Sequence, residues 1–261
     1  MENLEAKNHP IIDLGSWFEQ PAGCYIRAWE QARLDQLTAD IFGYNALQIG
    51  QPQINALAAS RMPHKWLTTT TLTNSRGNLK EQAPVAMLLD FAELPFASQS
   101  IDLVVLPHVL EFAAEPHQVL REVERILIPE GRLIISGFNR TSLWGARQMA
   151  GRLSGHHFLP KEGEFISATR MKDWLKLLNM EVRHTDFGCY APPYQTDKWL
   201  QRFSFMEKIG ERWWPYLGSV YMMQAIKRIK GMHLVGPVRK YKRLPRRQAV
   251  QLANKVHKQG K

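Results

Sequence analysis

Cysteine is scarce. The chain of 261 residues holds two, Cys24 and Cys189, too few for a disulfide scaffold or a four-ligand zinc cluster. Two unpaired thiols point to a reducing compartment, so a cytoplasmic protein is expected. Long apolar runs are missing too: no stretch approaches the roughly 18 residues of a membrane span. The opening Met1-Glu2-Asn3-Leu4-Glu5 is acidic and has no apolar stretch of the kind a secretory signal needs. Paired His156-His157 is a weak metal candidate, because adjacent side chains point apart and no acid is near, so no metal is expected. Acidic residues run out early, the last being Glu211.

That last absence divides the chain. Residues 1–226 hold 22 Lys and Arg against 24 acids, a net −2, whereas 227–261 hold 12 Lys and Arg and no acid. The formal charge of +10 therefore sums a nearly neutral body and a +12 appendage, and implies nothing about a polyanionic substrate in the body. Residues 1–24 read as an irregular leader, 25–230 as the folded domain and 231–261 as a basic, disordered tail. The alternative reading of that tail is an electrostatic arm making nonspecific contact with nucleic acid or anionic lipid. Tyr241 is its one aromatic, which supports base stacking poorly.

The body has enough apolar residues (44% of the chain) to build a core. Helical spacing predicts a helix over 25–41, and Pro52 suits the first turn of another reaching about Ser60. Strands are predicted at 44–50, 66–71, 84–89, 101–106, 132–136, 181–185 and 219–227, with helices at 116–127, 142–153 and 169–179 between them. The run Ile101-Asp102-Leu103-Val104-Val105-Leu106 is nearly all apolar, as a strand covered on both faces requires. Such alternation predicts an α/β fold, a Rossmann-like doubly wound, mostly parallel sheet of seven strands. Ligands in such sheets bind at the carboxyl ends of the strands, near the switch in strand order. Three strand ends then carry the interest: 48–53, 89–96 and 106–112.

The middle one carries a resemblance. Asp90, then Glu93-Leu94-Pro95-Phe96, then Ser100-Ile101-Asp102-Leu103-Val104-Val105, resembles the class I S-adenosylmethionine-dependent methyltransferases, and within them the type 11 subgroup. The likeness continues through His108-Val109-Leu110-Glu111, Leu120-Arg121-Glu122-Val123 and Arg125–Leu133. Ile135-Ser136-Gly137-Phe138-Asn139, with Trp174–Asn179, further resembles the uncharacterised YafS-like bacterial branch.

The resemblance implies S-adenosyl-L-methionine as cofactor and a small-molecule methyl acceptor as partner. It implies that Asp90 accepts a hydrogen bond from the adenine amino group, that the backbone of Phe91 faces an adenine edge, and that Leu106 and Pro107 line the cofactor. Against the cofactor role of Asp90 stands a plain strand-end turn aspartate, and Asp102 reads as structural. Gln48 and Gly50 occupy the first motif, where the family has an acid and a glycine-rich turn. Gln51, Pro52 and Gln53 replace the other glycines, and Trp66–Thr71 brings no acid for the ribose. Methyl transfer from a sulfonium is an in-line displacement that depends on orientation. A base is needed only for a protonated nucleophile, and His108 is the candidate, with Glu111 second. The other reading of His108 is a hydrogen-bonding residue that shapes the pocket.

Before the last strand lies an aromatic-rich segment, with Tyr190, Tyr194, Trp199, Phe203, Phe205, Trp213, Trp214 and Tyr216. It reads either as an amphipathic helix packed on the body or as an aromatic lid over the substrate. The functional alternatives to a small-molecule methyltransferase are a non-catalytic relative with an eroded cofactor site and an RNA-modifying enzyme docking through its tail. The sequence has no Asn-Pro-Pro-Tyr-like or paired-cysteine motif of the kind base methylation uses, and Ala191-Pro192-Pro193-Tyr194 lies in the wrong place, after the sixth predicted strand, which weakens the RNA reading.

Overall fold

The computed structural model describes residues 14–69, 87, 88, 90–154, 163–193, 199, 202, 203 and 205–228, without the side chains of 88 and 152–154. The chain divides into two units, Met1–Lys230 and Gly231–Lys261, and only the first contains described residues. Turn residues 74–78, His156-His157 and the basic tail lie outside them.

Alternation with period two builds the sheet. Strands β1 (Asn45–Ile49), β2 (His64–Thr69), β3 (Met87–Leu88), β4 (Ile101–Pro107), β5 (Leu127–Phe138), β6 (Met180–Gly188) and β7 (Val220–Lys227) form one sheet in the order β3-β2-β1-β4-β5-β7-β6. All neighbours are parallel except β7, which runs antiparallel to both β5 and β6. Along each central strand, successive side chains serve opposite faces. Leu47, Ile49, Val104, Leu106, Leu133 and Ile135 join one apolar cluster, whereas Ala46, Leu103, Val105, Ile134 and Met222 join the other.

Helices cover both faces. On the first face lie α3 (Pro116–Ile126) and α5 (Ala168–Leu177). Helix α3 puts Pro116 in its first turn, where no N–H is needed, and buries Val119, Leu120, Val123 and Ile126 on one stripe. Each such side chain contributes roughly 1.5–3 kcal/mol of burial. On the second face lie α1 (Leu14–Phe18), α2 (Pro21–Ala39) and α4 (Leu143–Ser154), through residues such as Trp17, Phe18, Ile26, Leu34 and Trp144.

The sequence reading is corrected at several places. Residues 14–24, expected to be irregular, form α1 and the start of α2, because Leu14, Trp17 and Phe18 share one buried face and Pro21 opens the next helix. Pro52 does not start a helix: residues 51–60 form a chain of turns, for a reason given below. The fifth strand spans Leu127–Phe138 and absorbs the 129–131 turn as a register shift against β4. Asp102, by contrast, is structural as expected, its Oδ2 accepting from the N–H groups of Tyr44 (3.1 Å) and Asn45 (2.9 Å) and so locking the start of β1 to β4.

Candidate functional site

Strand order reverses between β1 and β4, which pair directly, so the carboxyl ends of these two strands frame the crevice. Both ends turn through left-handed backbone. Gly50 and Gln51 after β1 have φ of 76° and 45°, and His108 after β4 has 49°. Outside glycine the left-handed region costs about 1–2 kcal/mol. Gly50 is required for a second reason: a Cβ there would stand 2.9 Å from Val109 Cγ2 and 3.7 Å from the Phe91 ring. The turns after β1 and β4 thus touch, with Phe91 beneath them.

Gln48 explains the turns at 51–60. Its buried Nε2 donates to the carbonyls of Gly50 (3.2 Å), Gln51 (3.1 Å) and Ile54 (2.7 Å), and its Oε1 accepts from Ala56 N–H (2.9 Å). A carboxylate accepts but does not donate, so an acid at this position would face three carbonyls with nothing to offer. The loop is wound around the carboxamide instead of continuing into a helix.

At the next strand end Asp90 is exposed, and its Oδ1 accepts from Ala92 N–H at 2.9 Å. Phe91 is buried in the core beside Gly50. Leu106 and Pro107 are buried at the end of β4, pairing with Ile135 and Ser136. Thr68 is buried, with its hydroxyl directed to the Gln48 carbonyl (3.4 Å), and Thr69 is also buried, while Thr70 and Thr71 lie outside the described residues.

His108 is fully buried between two carboxylates from different elements. Its Nδ1 lies 2.9 Å from Glu111 Oε2, and its Nε2 lies 2.9 Å from Glu30 Oε1 of α2. The Glu30 contact is an ion pair without hydrogen-bond alignment, and neither Glu30 oxygen has an aligned partner among the described residues. Phe18 and Phe138 close around the ring, with centroids 5.9 and 4.2 Å away. Glu111 also accepts from Phe138 N–H through Oε1. Burial alone would depress the imidazole pKa, but Glu30 and Glu111 outweigh it and raise it to about 10. Burial likewise lifts the Glu111 carboxyl, against the pull of His108.

This corrects the expectation for His108. A general base needs an empty nitrogen and a path to the substrate. His108 carries its proton at neutral pH and is sealed from solvent. Glu111, the second candidate, is spent on the same pair. Glu30 is the residue that sequence reasoning missed: a glutamate on a helix reads as surface, and nothing local marks it as the partner of a histidine 78 positions on.

Among the described residues no group of three or more His, Cys, Asp or Glu is placed to hold a metal ion, and no helix is long and apolar enough to cross a membrane. A groove of about 460 Å³ runs along β6, lined by His184, Asp186, Phe187, Tyr190 and Tyr216. Two strands, β5 and β7, separate it from β4 along the sheet order, and it shares no residue with the β1–β4 crevice.

The aromatic segment divides. Helix α6 (Phe205–Trp213) buries Gly210 against the ring of buried Tyr190. Glu207 of the same helix accepts from the N–H groups of Cys189 (3.3 Å) and Tyr190 (2.9 Å). Phe205, Ile209, Trp213, Trp214 and Tyr216 face outward, so this side of the helix is not packed on the body.

Comparison with known proteins adds to this geometry. The family described as "Methyltransferase domain" matches residues 58–135. The uncharacterised Escherichia coli protein YafS is 30% identical over 92% of this chain and 92% of its own length. Among solved structures, an S-adenosylmethionine-dependent methyltransferase of Thermotoga maritima superposes with a TM-score of 0.56 at 14% identity, covering 82% of this chain and 94% of that one. A second, from Archaeoglobus fulgidus, gives 0.53 at 14% identity, covering 77% and 94%.

Proposed function

The chain belongs to the class I S-adenosylmethionine-dependent methyltransferases, and we propose that it methylates a small molecule at the β1–β4 crevice. The cofactor of the family supplies an activated methyl group on a sulfonium. Several features of this chain fit it. Gly50 keeps the turn after β1 free of a Cβ where the neighbouring turn closes in. In a trans peptide the C=O and the following N–H point opposite ways, so the inward Gly50 carbonyl turns the Gln51 N–H outward as a donor. Gln53 Oε1, on the same loop, is buried without a partner among the described residues, an acceptor suited to an ammonium group. Exposed Asp90, one residue before the Phe91 that packs on Gly50, is the acceptor for the adenine amino group in this reading. Leu106 and Pro107 form the floor beside it.

The observation that carries the proposal is the left-handed backbone at Gly50, Gln51 and His108, which brings the turns after β1 and β4 together at the switch point. His108 and Glu111 act here as positioning residues. They tie the turn after β4 to α2 and to the end of β5, and take no proton from the acceptor. The acceptor then arrives with a lone pair or carbanion character already available at neutral pH, as a neutral amine, thiolate or enolate does.

One observation favours the non-catalytic alternative: Pro52 has no N–H and the Gln48 amide is fully engaged with the loop, so the turn offers fewer donors than a glycine-rich one. Calorimetric titration with S-adenosylmethionine and S-adenosylhomocysteine decides between them. The wild type is expected to bind both, and Asp90→Ala to weaken binding by roughly tenfold or more, the worth of a charge-assisted hydrogen bond. No heat from the wild type up to millimolar ligand would establish the non-catalytic reading.

A further inference from the structure

We propose that α6 and the following 3-10 turn (Pro215–Leu217) dock the protein onto an anionic lipid bilayer surface. The proposal is independent of methyl transfer and starts from an inversion. Elsewhere a helix of this protein turns its apolar stripe inward, as α3 does with Val119, Leu120, Val123 and Ile126. In α6, Phe205, Ile209 and Trp213 fall at successive four-residue steps on one stripe, and they are 55%, 42% and 70% exposed. Trp214, Tyr216 and Leu217 extend the patch at 54%, 70% and 43% exposed.

Specific bonds hold this face outward. The inward side of α6 is fixed by Gly210 against Tyr190 and by Glu207 on the Cys189 and Tyr190 N–H groups. The Tyr190 hydroxyl donates to the Pro215 carbonyl at 2.9 Å. Asn139 Nδ2, just past the end of β5, donates to the carbonyls of Tyr216 (2.8 Å) and Gly218 (2.9 Å). The backbone under the exposed aromatics is therefore clamped.

The occupant follows from composition and charge. Tryptophan and tyrosine pair an apolar body with a polar tip, the chemistry of the bilayer interface. Exposed Lys208 and Arg212 each precede a stripe residue, Ile209 and Trp213, and so border the stripe on one side with positive charge. The acid of this turn, Glu211, lines the β6 groove instead. An apolar aromatic stripe bordered by Lys and Arg is the pattern of a helix lying in an anionic interface. From Lys227 onward the sequence adds 12 Lys and Arg with no acid, strengthening attraction to any such surface. Strand β6 ends at Gly188 opposite the first residue of β7, so α6 leaves the sheet at the carboxyl end, where Gly50 and His108 lie.

Flotation of the full-length protein with vesicles tests this. Phosphatidylcholine vesicles are compared with vesicles of phosphatidylcholine and phosphatidylglycerol in equal parts. The wild type is expected to float with the anionic vesicles and not with the neutral ones. Ile209→Ser with Trp213→Ser and Trp214→Ser, all exposed positions, is expected to keep the wild-type circular dichroism spectrum and to lower partitioning by roughly tenfold or more. Lys208→Glu with Arg212→Glu weakens binding to the anionic vesicles several-fold. The proposal is overturned if the wild type does not float, or if the triple variant floats like the wild type, which assigns retention to the basic tail. It is equally overturned if the wild type is a dimer in solution that the triple variant splits, which assigns the face to a second copy.

Discussion

Replacing His108 with glutamine removes one charge from a fully buried site that holds two carboxylates. Each tenfold change in proton affinity is worth about 1.4 kcal/mol. Raising the imidazole from 6.5 to about 10 therefore couples about 5 kcal/mol of folding free energy to its proton. The sign is fixed by the direction. A base whose folded pKa exceeds its unfolded value contributes in full below pH 6.5 and loses that contribution as pH rises through about 10. Glu111, whose carboxyl is lifted by burial, acts in the same sense from its unfolded value of 4.5 upward, so both groups make the fold weaker in alkali. In His108→Gln the two buried carboxylates lose the cation between them.

Urea or thermal unfolding followed from pH 6 to pH 10 reads this out. At pH 7 the variant is expected to be less stable by about 3–5 kcal/mol, the cost of breaking a buried pair from one side. For a domain of this size that is roughly 6–20 °C in midpoint. Near pH 10 and above the gap narrows, because the wild type has lost its proton as well. A gap of equal size at pH 7 and pH 10 would show that the ring acts by packing alone and would refute the electrostatic reasoning.

Two further substitutions test the loop after β1. Gln48→Glu places the acid of the wider family at this position, yet it is expected to destabilise the fold by about 2–4 kcal/mol and to loosen residues 50–56, since the three carbonyls around Nε2 lose their donor. Hydrogen exchange of the loop amides and the urea midpoint check this, and a variant as stable as the wild type would contradict it. Gly50→Ala meets both a left-handed φ and Val109 Cγ2 at 2.9 Å; a loss of about 1–2 kcal/mol from the backbone alone, together with weaker S-adenosylmethionine binding by calorimetry, is the expected outcome.

Position along the chain was readable wherever a periodic pattern met a single partner. Strands β1 and β4 and the buried stripe of α3 all follow from alternation or helical spacing. The turns at 51–60 were misread because Pro52 favours a helix start locally, while the carboxamide of Gln48 draws three carbonyls inward. Residues 14–24 were misread because their apolar face is short and gains meaning only once Phe18 and Trp17 have Phe138 and His108 to pack against.

The sequence by itself determined the class of fold, the strand ends that frame the crevice, the family and the separation of a +12 appendage from a neutral body. These rest on periodicity, turn chemistry and charge, which act over a few residues. Only the tertiary structure decided that His108 is a caged cation, that Gln48 organises a loop and that α6 turns its aromatics to solvent. Each of those depends on groups far apart in the chain, Glu30 with His108, Gly210 with Tyr190, Asn139 with Tyr216. Burial and the nearest charge set a side chain's chemistry, and both are properties of the folded neighbourhood rather than of the local sequence.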